Sequence, residues 1–104
     1  MTSASNAPVI LITGGGRGVG AATARLAAAQ GYDVAVSYAS NDAAARAVVA
    51  DVQAQGRRAL AVRADSADPE QVASLFDAVD REFGRLDVLV NNAAIIARQS
   101  RQIG

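Results

Sequence analysis

The feature that most constrains this chain is a change of period within residues 9–31. Val9, Ile10, Leu11 and Ile12 form a continuous apolar run, mostly β-branched, as expected of a parallel strand covered on both faces. The chain then reads Thr13-Gly14-Gly15-Gly16-Arg17-Gly18-Val19-Gly20. Beyond it Val19, Ala22, Leu26 and Ala29 recur at helical spacing. They are expected to form the buried stripe of a helix that Gly31 stops. A glycine turn between strand and helix lets backbone N–H groups approach a ligand closely, and the helix N-terminus adds a favourable field for negative charge. The stretch is a candidate phosphate cradle.

Its spacing narrows the choice. Thr13, Gly14, Gly18 and Gly20 fit T-G-x-x-x-G-x-G. No Gly-Lys-Ser/Thr closes the turn, which disfavours a P-loop. A methyltransferase-type site is the better rival, because it also lays a nucleoside on a glycine turn.

The rest of the chain repeats the strand–helix unit. Residues 33–38 read as a second strand, and residues 39–42 as a loop that supplies the next helix cap. The helix over residues 42–55 places Ala45, Val48, Val49 and Val52 on one face, and Gly56 ends it. Residues 59–64 form a third strand. Asp68-Pro69-Glu70-Gln71 is a helix start, with a capping Asp, Pro at the first helical position and Gln at the capping-box position. Val72, Leu75, Phe76, Val79 and Phe83 are its expected buried stripe, and Gly84 terminates it. Residues 86–90 are a fourth strand that runs into Asn91-Asn92-Ala93-Ala94. The β-α-β-α-β-α-β order predicts an α/β fold, a Rossmann-like doubly wound parallel sheet in strand order 3-2-1-4 with right-handed crossovers. Ligands of such sheets bind beyond the carboxyl ends of the strands. All four ends here are polar or glycine-rich: 13–20, 37–41, 65–66 and 91–94.

Composition excludes several alternatives. The 104 residues carry ten basic and ten acidic side chains and no net charge, so nothing electrostatic argues for nucleic acid or a membrane surface as partner. Cysteine and histidine are absent, which removes disulfides, thiol chemistry and the usual zinc sites; no metal ligands are assigned. Residues 1–7 are small and polar, the pattern of a disordered arm rather than a signal peptide, and no segment is long enough to span a bilayer. A cytoplasmic location is expected. The dinucleotide-binding unit is placed at 8–96, followed by a polar tail at 97–104.

Together, Thr13-Gly14-x-x-x-Gly18-x-Gly20, Asp65 after the third strand and Asn91-Asn92-Ala93-Ala94 after the fourth resemble the N-terminal, cofactor-binding half of the short-chain dehydrogenase/reductase family. The resemblance implies that Gly14, Gly16, Gly18, the Val19 backbone and Gly20 line a pyrophosphate. It implies that Asp65 accepts from the adenine amino group beside Ser66. Asn91, Asn92, Ala93 and Ala94 would tie the fourth strand to its neighbours and border the nicotinamide ribose. The family's usual glycine is replaced by Ala94. An NAD site wants an acid at the end of the second strand, but Tyr38 stands there, with Ser40 and Asn41 after it. Arg17, before Gly18, resembles the basic residue of NADP-preferring members. The cofactor expected is therefore NADP rather than NAD.

The same resemblance implies a sheet truncated after the fourth strand, a small carbonyl or alcohol substrate and a homo-oligomeric full-length parent. The family's Tyr-x-x-x-Lys chemistry has no counterpart, since the chain has no lysine and its two tyrosines are Tyr32 and Tyr38. No catalytic residue is nominated, and the chain as given is expected to be inactive. The alternatives are a non-catalytic nucleotide-binding or sensing module, and a non-functional truncated product whose fourth strand exposes an apolar edge.

Overall fold

The computed structural model describes residues 6–16 and 18–92. Its elements are β1 (Val9–Thr13), α1 (Gly18–Ala29), β2 (Asp33–Tyr38), α2 (Asp42–Ala54), β3 (Ala59–Arg63), α3 (Pro69–Phe83) and β4 (Val88–Asn91). The strands form one parallel sheet in the order β3-β2-β1-β4, as the repeated strand–helix unit predicts. The N-terminal arm up to residue 5 and the tail at 97–104 lie outside the described residues.

Alternation along the strands divides the interior in two. Ile10, Ile12, Val34 and Val36 face α1 and α2, where they pack with Ala21, Ala24, Ala27, Ala28, Val48 and Val52. Val9, Leu11 and Ala35 face the other way and meet Ala64, Leu75 and Val79. Both faces of β1 are covered, which is why its sequence shows no polar alternation. Each fully buried Leu or Val contributes about 1.5–3 kcal/mol.

The helices end where glycines permit. Gly31, Gly56 and Gly84 all have positive φ, at 96°, 82° and 75°. At the start of α3, Asp68 accepts from the Glu70 N–H at 2.9 Å. Gln71 departs from the reciprocal capping box: its Oε1 accepts from the Asp65 N–H, and its Nε2 donates to Asp68 Oδ2. The Asp68 N–H is already spent on the Asp65 carbonyl. Phe76, expected inside the α3 stripe, sits at its edge and is exposed, whereas Phe83 stacks under the Arg58 guanidinium at 4.8 Å.

The stripe expected on α1 is reversed. Val19, Ala22, Leu26 and Ala29 are exposed, Val19 by 75% and Leu26 by 66%, while Gly20, Ala21, Ala24, Ala27 and Ala28 face the sheet. Hydrophobic size pointed to the wrong face. An all-small face lets the helix sit low over β1 and β2, and that close seating outweighs the larger area of Leu26.

At the opposite edge β4 begins at Val88, two residues later than expected. Asp87 uses its side chain instead: Oδ2 accepts from the Val9 N–H at 2.8 Å, while its own N–H donates to the Val9 carbonyl. Arg85 donates to both oxygens of Asp87. These guanidinium bonds, and then the Val9 N–H, hold the Asp87 carboxyl below the usual carboxylate range.

Two outcomes test this packing. In urea unfolding, Ala24→Leu should destabilise by about 1–3 kcal/mol through overpacking, whereas Leu26→Ala should stay within about 0.5 kcal/mol. The reverse ranking would restore the other face. A lowered carboxyl pKa contributes stability that is present above the ordinary carboxylate value and lost as pH falls through the folded one. The melting-temperature gap between the wild-type chain and Asp87→Asn should therefore be open at neutral pH and close below about pH 4.

Candidate cofactor site

The site begins with a loop held from both flanks. Gly14 and Gly18 adopt φ of 66° and 61°, values that L side chains rarely take. On the β2 side, the Gly14 N–H donates to Ser37 Oγ at 3.3 Å and the Gly15 N–H to the Ser37 carbonyl at 3.0 Å. On the β4 side, Thr13 Oγ1 donates to Asn91 Oδ1 at 3.0 Å and Asn92 Nδ2 to the Gly14 carbonyl at 3.3 Å. The asparagine pair thus ties β4 to β1, as expected.

Close approach explains Gly20 and Gly15. A Cβ on Gly20 would lie 2.5 Å from the Gly14 carbonyl oxygen and 2.8 Å from the Gly15 Cα. One on Gly15 would lie 2.7 Å from Val36 Cγ1. The loop is pressed onto the first turn of α1, whose leading N–H groups have no partners within the helix and carry the positive end of its dipole. That arrangement suits a phosphate.

A cleft of about 310 Å³ opens beside this loop, lined by Gly14, Gly16, Tyr38, Ala39, Ser40 and Asn41. Five of these lie on residues singled out from the sequence; Ala39 does not, since a methyl group carries no chemical signal. Among the described residues no acid lines the cleft. Asn41, rather than a residue nearer the helix, caps α2 by accepting from the Ala44 N–H at 3.0 Å. Its Oδ1 is thereby committed, and within the loop at 39–42 it is Asn41 and not Asp42 that caps the helix.

Asp42 is used differently. Tyr38 Oη donates to Asp42 Oδ1 at 2.6 Å, and Arg46 Nε pairs with Asp42 Oδ2 at 2.8 Å. The bond to Asp42, followed by burial and the Asp42 charge, raises the Tyr38 phenol above its ordinary value. The hydroxyl stays protonated through the physiological range and serves as a donor. Arg63 Nε holds the Ala39 carbonyl at 3.2 Å.

Asp65 and Ser66 follow β3 outside the cleft lining. One Asp65 oxygen accepts from the Ala67 N–H at 2.9 Å, in a turn that orients the exposed carboxylate. Val19 is exposed at the helix start, leaving its backbone as the useful part. Arg17, Ala93 and Ala94 lie outside the described residues. Ser37 falls in the polar strand end at 37–41 without a role of its own in the sequence reading, and the structure gives it one as the anchor of the loop.

Gly20→Ala tests the cradle. Its Cβ cannot be accommodated by a moving side chain, because both nearest neighbours are backbone. Expected are a lowered melting temperature and lost binding of inorganic pyrophosphate in calorimetry. Unchanged binding would show that the loop does not hold the phosphate.

The chain matches the short chain dehydrogenase family over residues 8–103. It is 47% identical over 93 residues to a 3-oxoacyl-[acyl-carrier-protein] reductase of Synechocystis sp., covering 89% of this chain and 38% of that protein. It is 43% identical over 86 residues to an L-rhamnose 1-dehydrogenase (NAD(P)(+)) of Sphingomonas sp., covering 83% and 34%. A solved short chain dehydrogenase from Burkholderia cenocepacia in complex with NADP superposes with a TM-score of 0.81 at 53% identity, over 83% of this chain and 35% of that one. The chain therefore spans a little over a third of the length of these relatives. Family match, strand order and glycine cradle agree: the chain belongs to the short-chain dehydrogenase/reductase family.

Proposed function

We propose that these residues form the NADP(H)-binding portion of an oxidoreductase that moves hydride between nicotinamide and a small carbonyl or alcohol. The observation that carries this reading is the acid-free cleft bounded by the glycine loop and the end of β2. A carboxylate there would hold ribose hydroxyls and repel a phosphate; tyrosine, serine and asparagine carry no charge to repel it. The NADP complex of the Burkholderia relative supports the same choice, and the reductase named among the relatives supports a carbonyl substrate.

Within this reading Gly16, Gly18, Val19 and Gly20 offer backbone N–H groups to the pyrophosphate, and Gly14, whose N–H is spent on Ser37 Oγ, lines it. Ser40, Asn41 and Arg17 meet the ribose phosphate, with Tyr38 as the wall beside them. Asp65 and Ser66 receive the adenine. Asn91, Asn92, Ala93 and Ala94 border the nicotinamide ribose. The bound cofactor supplies the hydride chemistry; the chain binds and orients it. No residue here exchanges a proton with substrate: there is no lysine, and the Tyr38 hydroxyl is engaged by Asp42. We place the unit at 8–96 and in the cytoplasm, and propose that these residues alone turn over no substrate.

Fluorescence titration should show tighter binding of NADPH than of NADH, and Arg17→Ala should weaken NADPH selectively by about 1.5–3 kcal/mol. Equal losses for both would remove Arg17 from the discrimination. In the same preparation NADPH oxidation with ketones and aldehydes should not exceed buffer, because a missing general acid alone removes a factor of about 10²–10⁴. Turnover abolished by Gly18→Val would overturn the inactivity.

A further inference from the structure

The cleft is free of acid for a reason that sequence position does not show. Asp42 is the sole carboxylate between residues 38 and 46, and it directly follows Asn41, which lines the cleft. Its two oxygens are both engaged, Oδ1 by the Tyr38 hydroxyl and Oδ2 by the Arg46 guanidinium. We propose that this Tyr38–Asp42–Arg46 chain sets cofactor choice: it turns the carboxylate away from the cleft and neutralises it, so that a 2′-phosphate is tolerated where an acid would otherwise repel it.

The proposal rests on the NADP reading above and deepens it. Tyr38 and Arg46 are positioning residues acting through Asp42. Tyr38 has a double part, because its ring forms the cleft wall while its hydroxyl reaches back to the first turn of α2. Its Cβ lies within ordinary contact distance of a side chain added at Gly16, so the ring stem is fixed beside the loop. Arg46 is exposed on the far side of the pair and supplies a compensating positive charge. Removing either donor leaves Asp42 with an unspent oxygen and a free rotamer at the rim. The released charge disfavours a phosphate dianion and favours a pair of ribose hydroxyls as donors.

The test uses the whole chain, with adenosine 2′,5′-bisphosphate and 5′-AMP as probes that differ only in the 2′-phosphate. The ratio of their dissociation constants is measured by calorimetry for wild type, Tyr38→Phe, Arg46→Gln, and each combined with Asp42→Asn. Tyr38→Phe and Arg46→Gln should each reduce the preference for the bisphosphate about two- to fivefold, as fits an exposed charge interaction. The reduction should shrink in high salt. Adding Asp42→Asn should restore the preference in both backgrounds, which a merely structural role for Tyr38 or Arg46 would not do. Arg46 is too exposed for its loss to threaten folding, so the Arg46→Gln arm stands even if Tyr38→Phe is unstable. A wild-type preference that neither variant changes, or that Asp42→Asn fails to restore, overturns this proposal and leaves the NADP reading intact. Equal or absent binding of the two probes by the wild-type chain overturns the NADP reading and this proposal with it.

Discussion

Gly20 lets the first turn of α1 rest against the Gly14 carbonyl, and the geometry of the whole site depends on that approach. Any side chain there would meet backbone at 2.5 Å, closer than nonbonded atoms can stand. Because the helix sits so low, its sheet-facing residues must be small, and Ala21, Ala24, Ala27 and Ala28 follow as a consequence. The same seating aims the helix N-terminus at the loop. One absent Cβ therefore couples the packing of the α1 layer to the field at the anion site.

Much of this was legible because the signals are local. Period changes located the strands and helices, glycines marked the helix ends, and the polar strand ends marked the side of the sheet that carries the site. Where several forces compete, the reading failed. The α1 stripe was assigned by hydrophobicity, yet shape decides which face approaches a sheet. Asn41 and Asp42 are both acceptable caps, and only the position of the Tyr38 hydroxyl, four residues back, decided between them. Gln71 satisfied the capping-box spacing but found its partners at Asp65 and Asp68. Choices among such neighbouring side chains leave no trace in spacing.

The site is asymmetric in its chemistry. In the reading proposed above, the adenosine end of the cofactor would meet a shaped cleft, a helix terminus and oriented hydrogen-bond groups. The reacting end would meet Asn91 and Asn92, whose side chains are turned inward to Thr13 and Gly14. The relatives are named for a 3-oxoacyl-[acyl-carrier-protein] and for L-rhamnose, and one fold hosting such different substrates is the ordinary case.

The strand order has a temporal meaning. β1 is synthesised first but acquires its β4 neighbour last, through contacts such as Thr13 to Asn91 that span 78 positions. The β2 flank, fastened by Ser37, closes over 23 positions. A chain emerging from the ribosome can therefore build the β1–α1–β2 unit early, with one side of the glycine loop already anchored, while the other waits for β4. During that interval Ile10 and Ile12 lack their β4 neighbours, and the backbone edge of β1 stands open to mispairing. The Asn91–Asn92 pair belongs to the last of these four strands to arrive, so the loop is held from both flanks only after β1 has both of its neighbours.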